Sequence, residues 1–405
     1  MPEYTFPPAY FLLLAVGVAV AVADSSVANE NVHLRGSLEN CRHRFSERQG
    51  HVAFLGGSIT EMDGYRPIVE NWLRNRFPET KFSFTNAGIA STCSQTGAFR
   101  LKRDVLDHGP VDLLLVEFAV NDDQDAHHSS DDCVRGMEGI VRQVRRHNPS
   151  ADIVMIHFVN EAMLETIAAG KEPLSSAQHE RVARHYDVSS VYLSREVADR
   201  IKAGTLTWQQ YGGTHPGPVG NQLAADLVTG LLESGWTEAA DNSPPKPHDV
   251  PDDFILTSSF ADGRLLPFGA IRIVSGWEKS EPDWDRIAGS KRSRFLGIPL
   301  LHATQPGATV ELSFHGTAVG AYVLAGPDAG RLEYQIDGGD WRQAELLHHY
   351  SKGLHYPRTV MFATGLDDDA HSVTVRVAES HHPDSTGFAA RVLNFVVNGR
   401  DPDSE

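Results

Sequence analysis

The sequence is poor in cysteine and in positive charge, and it has no long apolar run beyond its first residues. Its three cysteines cannot all pair within one chain, and no C-x-x-C or other zinc-type spacing is present. The formal net charge of -17 argues against nucleic acid or an anionic membrane surface as a partner. What remains is an ordinary globular composition, with 41% hydrophobic and 22% charged residues, which indicates neither disorder nor a coiled coil.

The apolar run at residues 9–23 has the features of a secretory signal. It ends in Ala21-Val22-Ala23, a small-x-small cleavage pattern, and a run of about 15 residues is short for a membrane span of about 20. The residues before it include Glu3 but no lysine or arginine, which is unusual for such a signal. We expect residues 1–23 to be removed and the protein to be secreted or periplasmic, without a membrane partner. An uncleaved anchor is the alternative.

Two of the cysteines, Cys93 and Cys133, each follow a predicted strand. A disulfide between them across the top of the sheet is therefore one interpretation, since an exported protein meets oxidising conditions. The other interpretation is that both, together with Cys41, are free and partly buried.

Between residues 49 and 237, short apolar runs alternate with stretches of helical period. Such alternation is typical of a parallel sheet with helices on both faces, so we predict an α/β domain over 49–237, preceded by a wrapping segment at 24–48. The predicted strands are 51–55, 81–85, 111–118, 152–158 and 190–193, and the predicted helices include 65–77, 133–147 and 219–232.

After Gly235 the pattern changes. A proline-rich segment around Pro244 and Pro245 cannot hold a helix or a central strand, and it predicts a linker over 238–252. Beyond it, over 253–399, short alternating runs and a hairpin turn at 337–340 predict an antiparallel β-sandwich. The predicted strands of this second domain are 270–274, 309–315, 318–324, 331–337, 359–363, 372–377 and 389–397.

Four residues of the first domain are placed to act together. Ser58, Gly88 and Asn121 follow the first three strands, and His215 precedes the last helix, so all four lie at the carboxyl edge of the sheet. A serine nucleophile needs a base and oxyanion donors. His215 is the candidate base, and the backbone amides of Ser58 and Gly88 with the Asn121 side chain are candidate donors. The alternative for Ser58 is a helix cap.

In this combination the chain resembles the SGNH or GDSL-like hydrolases. Gly56-Gly57-Ser58-Ile59 is similar to the nucleophile block of that family, with glycine in place of the usual aspartate, and the segments around Gly88, Asn121 and His215 are similar to its other three blocks. The resemblance covers roughly residues 52–232. It implies a three-layer α/β/α sandwich with five parallel strands in flavodoxin-like order. The second domain looks like the jelly-roll accessory domains of sugar-acting members.

The sequence departs from this family where the triad acid is usually found. The position three residues before His215 is Gly212, although an imidazole base needs an acceptor at its other nitrogen. Either a backbone carbonyl near Gly212 serves, or a carboxylate arrives from elsewhere. The candidate remote acids are Asp122, Asp123 and Glu117.

The acidic and histidine-rich run at residues 122–128 is interpreted as a solvated loop and helix start, because it has neither a calcium-loop glycine nor zinc spacing. We therefore expect no metal and no organic cofactor.

The resulting hypothesis is an exported serine esterase that removes acyl groups, most of all acetyl, from a carbohydrate. The carbohydrate part depends on export, the appended sandwich and the family resemblance. Two alternatives stay open: a glycosidase that uses carboxylates such as Glu61, Glu117 or Asp122, and a non-catalytic carbohydrate-binding protein.

Overall fold

The structure, a computed structural model, describes residues 30–236 and 244–400. The predicted signal at 1–23 and the first part of the predicted linker lie outside the described residues. Within these two ranges, no helix combines the length and the apolar character needed to cross a membrane.

The first part of the described chain contains a twisted sheet whose central strands are long runs of buried residues. Five strands are parallel. When these five are numbered in chain order from residue 49, their order across the sheet is 2-1-3-4-5, which confirms the predicted flavodoxin-like order. A sixth, two-residue strand within the predicted wrapping segment pairs antiparallel with the far edge and was not predicted. The strands are β1 (Val32–His33), β2 (Gln49–Gly56), β3 (Lys81–Gly88), β4 (Leu113–Glu117), β5 (Asp152–Ile156) and β6 (Ser189–Val191).

Helices cover both faces of this sheet, as the alternating pattern predicts. The helices are α1 (Glu39–Ser46), α2 (Ser58–Glu61), α3 (Tyr65–Arg76), α4 (Ser94–Asp104), α5 (Ser130–His147), α6 (Glu161–Ala168), α7 (Leu174–His185), α8 (Leu193–Lys202), α9 (Trp208–Tyr211) and α10 (Pro218–Gly235). The apolar residues of α1, α3, α8 and α10 pack on one face, and those of α4, α5 and α7 pack on the other. The result is the expected three-layer α/β/α arrangement.

The second part is an antiparallel all-β domain, as predicted. Its two longest strands each join a pair of predicted runs, and their pairing shifts in register between Gly316 and Ala318. The hairpin at Asp337 and Gly338 forms with positive φ angles of 51° and 70°. The strands are β7 (Gly263–Leu265), β8 (Ile271–Ser275), β9 (Glu278–Ser280), β10 (Leu300–Ala303), β11 (Thr309–Ala325), β12 (Arg331–Ile336), β13 (Arg342–Glu345), β14 (Tyr356–Val377) and β15 (Ala390–Asn398).

The β domain packs directly on the α4 face of the α/β domain. Along β11, Val323 points into the core of the β domain, whereas its neighbours Tyr322 and Leu324 belong to the cluster that contains α4. Phe99 of α4 meets Phe260 with ring centroids 4.5 Å apart. Since a strand points successive side chains to opposite faces, one strand serves both cores.

The described part of the predicted linker also lies against the α/β domain. The Asn40 side chain donates to the Lys246 carbonyl at 2.8 Å, and His248 Nε2 lies 2.7 Å from the buried Asp152 carboxylate. These contacts fix the path of the chain between the two domains.

Candidate active site

The strand β2 ends at Gly56, and a sharp turn at Gly57 leads into the single-turn helix α2, which begins at Ser58. A Cβ atom on Gly57 would lie only 2.1 Å from Asn121 Oδ1, so the turn requires glycine. The Gly57 amide donates to the Glu117 carboxylate at 2.9 Å, and Thr60 Oγ1 donates to the same oxygen at 2.8 Å. These bonds hold Ser58 at the carboxyl edge of the sheet.

Ser58 and His215 meet at this edge. His215 lies between α9 and α10, and its Nε2 is 2.8 Å from Ser58 Oγ. The imidazole is exposed and Ser58 is partly exposed, so both atoms are open to a ligand from solvent. This distance is that of a nucleophile and its base.

The position that holds the triad acid in related sequences cannot hold one here. Gly212 has a φ of 108° at the end of α9, and a Cβ atom on it would lie 1.9 Å from the Gly217 nitrogen. The Gly217 amide in turn donates to the Tyr211 carbonyl at 2.8 Å, which closes the turn before His215. Any side chain at position 212 would break this turn.

The structure does not bring the three candidate acids to His215. Glu117 contacts the nucleophile turn, Asp123 accepts from Asn160 at 2.9 Å, and Asp122 Oδ2 accepts from Ser94 Oγ at 2.6 Å. Among the described residues, no carboxylate forms an ion pair or hydrogen bond with His215.

Two of the candidate acids, Glu117 and Asp122, are buried and have shifted pKa values. Burial raises the pKa of Glu117 to about 7, against the lowering effect of the hydrogen bonds from Thr60 and Gly57. Burial also opposes ionisation of Asp122, but His128 and His179 outweigh it and hold the pKa of Asp122 well below its usual range.

The prediction of a solvated loop and helix start at residues 122–128 is wrong for the Asp122 end of the run, whereas Ala126 and His127 are exposed. Residues Asn121–Asp125 form a π-helical turn, and Asp122 is fully buried. Because this carboxylate accepts bonds from two other helices, it folds inward rather than toward water. The sequence pattern showed the polar character of the run but not the partners that bury it.

Two of the candidate oxyanion donors have partners within the protein. The Gly88 amide donates to Asn86 Oδ1 at 2.9 Å, and Asn121 Nδ2 donates to Asp125 Oδ2 at 2.7 Å. Asn121 Nδ2 carries a second hydrogen. The Ser58 amide lies in the first turn of α2, where helix amides lack intrahelical partners.

The β domain contributes residues to this edge that the sequence analysis missed. Arg294 Nη1 donates to the Gly88 carbonyl at 3.0 Å, and its Nε lies 3.3 Å from the Glu61 carboxylate. Arg292 donates to the Ala90 carbonyl at 3.2 Å. The two arginines belong to a basic run at 291–294 in an acidic chain, and that run was the available signal.

Comparison with known proteins relates part of the chain to one family. The sequence profile of the GDSL-like Lipase/Acylhydrolase family matches residues 54–223. No curated protein matches the sequence significantly.

Two solved structures share the fold of both domains. A two-domain esterase (CEX) active on acetylated mannans is 21% identical, with a TM-score of 0.72 over 92% of this chain and 98% of that chain. The same esterase co-crystallised with mannopentaose is 20% identical, with a TM-score of 0.72 over 92% and 97% of the two chains. Residues 54–223 therefore match the GDSL-like lipase/acylhydrolase family, and the chain is an ester-bond hydrolase with an additional all-β domain.

Proposed function

We propose that this protein is a secreted carbohydrate esterase that removes acetyl groups from a polysaccharide by a Ser58–His215 mechanism. The observation that carries the proposal is the 2.8 Å contact between Ser58 Oγ and His215 Nε2 at an accessible sheet edge. The two-domain esterase of the same fold acts on acetylated mannans, and this supports the choice of substrate class. Secretion is supported by the sequence pattern at residues 9–23.

In this mechanism His215 Nε2 takes the proton of Ser58 Oγ as the oxygen attacks the acetyl carbonyl carbon. The tetrahedral intermediate collapses when His215 gives that proton to the departing sugar oxygen. Water, activated by the same imidazole, then hydrolyses the acetyl–Ser58 ester and restores the free serine.

The oxyanion is stabilised by the Ser58 amide, the second hydrogen of Asn121 Nδ2 and the Gly88 amide. The first two groups donate to the oxyanion without losing a bond, whereas the Gly88 amide exchanges its bond to Asn86 for one to the oxyanion. Each such donor contributes about 10²- to 10³-fold to kcat.

The base works without a protein carboxylate in this proposal. His215 is exposed, so water or a substrate hydroxyl reaches the second ring nitrogen, and the rigid turn at Gly212 sets the approach of the ring. A Ser-His dyad of this kind follows from the steric exclusion of any acid at position 212.

The glycosidase alternative has little support. Two of its three carboxylates, Glu117 and Asp122, are buried and hydrogen-bonded to protein groups, so they cannot flank a sugar linkage. The third, Glu61, pairs with Arg294 and the Ala90 amide.

The test compares wild type with Ser58→Ala and His215→Ala on an activated acetyl ester and on acetylated mannan and xylan. We expect both variants to lose about 10⁴-fold or more in kcat, as loss of a nucleophile or base does elsewhere. Ser46→Ala and His147→Ala are matched controls, because both residues are exposed and lie toward the opposite edge of the sheet. Unchanged rates in either active-site variant would overturn the mechanism. Polysaccharide binding without any acetate release would select the non-catalytic alternative.

A further inference from the structure

A second cluster of reactive side chains lies beneath the active-site edge, and the mechanism does not use it. It joins four segments of the α/β domain: the residue before α4, the π-helical turn, the start of α5 with the loop before it, and α7. Its members are Cys93, Asp122, His128, Cys133 and His179.

The cluster consists of two groups of three that share Asp122. One ligand atom from each of Asp122, Cys133 and His179 lies within 4.8 Å of the other two, and the same holds for Cys93, Asp122 and His128. Asp122 Oδ2 is 2.8 Å from His179 Nε2, and its Oδ1 is 3.2 Å from His128 Nδ1. Asp122 therefore lies at the centre of the five donors.

The side chains of this cluster are buried, unlike polar groups of the protein surface. Asp122 and Cys133 are 0% exposed, and His179 is 1% exposed. The His128 side chain is 9% exposed, and within the described residues its buried Nδ1 has no hydrogen-bond partner of good geometry. A cation that displaces the proton of this imidazole would take Nδ1 as a ligand, since a ligating imidazole is neutral.

The surroundings supply two further features of a metal site. The Ser94 amide and hydroxyl donate to Asp122 at 2.8 and 2.6 Å, which orients the carboxylate as outer-shell groups orient metal ligands. A cavity of about 290 Å³ between the two domains is lined by Cys93 and His128, and it gives an ion a route from solvent.

Thiolate, imidazole and carboxylate together form the donor set of zinc. We propose that Asp122, Cys133 and His179, with Cys93 or His128 as the fourth ligand, bind one zinc ion that ties α4, α5 and α7 to the turn carrying Asn121. Metal–ligand distances of about 2.0 to 2.3 Å place tetrahedral donors about 3.3 to 3.8 Å apart, so Asp122 and His179, now at 2.8 Å, separate slightly while the wider pairs close in. The ion is structural and takes no part in ester hydrolysis, so this inference does not depend on the proposed mechanism.

The test measures the metal content of the full chain purified without chelators. We expect about one zinc per chain in wild type and in Cys41→Ala, and about a tenth of that or less in Cys133→Ala and His179→Ala. Cys41 is the matched control, because it is also a buried free thiol but lies outside the cluster.

A second measurement on wild type does not depend on how well the variants fold. Metal-free protein is titrated with Co²⁺, and we expect a thiolate-to-cobalt charge-transfer band together with protection of the Cys133 thiol from alkylation. A wild-type protein that takes up neither metal would overturn the proposal. A Cys93–Cys133 disulfide found by mass spectrometry would overturn it as well, since it consumes the Cys133 thiolate.

Discussion

The Glu117 carboxylate beneath the nucleophile turn makes the stability of the fold depend on pH. One carboxylate oxygen accepts bonds from the Gly57 amide and Thr60, whereas the other is buried and has no hydrogen-bond partner among the described residues. Glutamine has the same shape and accepts the same two bonds, but it does not ionise. Glu117→Gln therefore isolates the cost of the buried charge.

The size of the effect follows from the pKa of Glu117, which burial raises from 4.5 to about 7. Because the folded state holds this proton more tightly than the unfolded state, its stabilising contribution is complete below pH 4.5. It is lost as the pH rises through about 7. At 1.36 kcal/mol for each unit of pKa, the free energy of unfolding falls by about 3 kcal/mol across this window.

Urea unfolding of wild type and Glu117→Gln at pH 4.5, 6, 7 and 8 measures this contribution. The difference between the two proteins should shift in favour of glutamine by about 3 kcal/mol from the lowest to the highest pH. Other titrating groups cancel in this comparison. A difference that stays constant across the series would refute the elevated pKa of Glu117.

Two further predictions concern the rim of the site. Gly212→Asp should not raise the hydrolysis rate of an activated acetyl ester, and Tm should fall, because its Cβ would overlap a backbone nitrogen at 1.9 Å. Gly213→Asp is the control, since it has a φ of 86° but open space around it, and an equal loss of Tm in both would contradict the steric argument. Arg294→Gln should lower kcat/KM about tenfold, because it loosens the turn that carries the Gly88 amide, a proposed oxyanion donor. Its Tm should stay nearly unchanged. Arg286→Gln, an exposed arginine of the same domain, should leave kcat/KM unaltered, and equal losses in the two variants would argue against a positioning role for Arg294.

The α/β fold could be predicted because its central strands β2, β4 and β5 are buried on both faces and are therefore written as apolar runs. The edge strand Val32–His33 escaped prediction, since two residues carry no periodicity. The strands β11 and β14 were each predicted as two pieces, because glycine and aspartate residues at the bends interrupt the alternation while the backbone pairing continues. Local patterns show where a chain is extended, but they do not show whether it remains paired through a bend.

The residues of the site also differ in how far the sequence could predict them. Ser58 and His215 could be predicted to meet because each lies beside a short glycine-containing block at one sheet edge. The pairing of Asp122 with His179 joins residues far apart in sequence, and no local spacing records it. The same reason explains why Arg294 was missed, since its role exists only after the second domain has packed against the first.

The shared face between α4 and β11 also bears on how the chain is made. The apolar side of α4 is synthesised early, but the residues that cover it include Leu393 and Val396 of the last strand. That strand, β15, pairs with β7, β10 and β11 near the centre of the β domain. The two domains therefore complete their packing only after the ribosome has released the residues through Asn398. Until then the apolar face of α4 is exposed to solvent and can aggregate. A stop codon shortly before Ala390 would leave this face permanently uncovered.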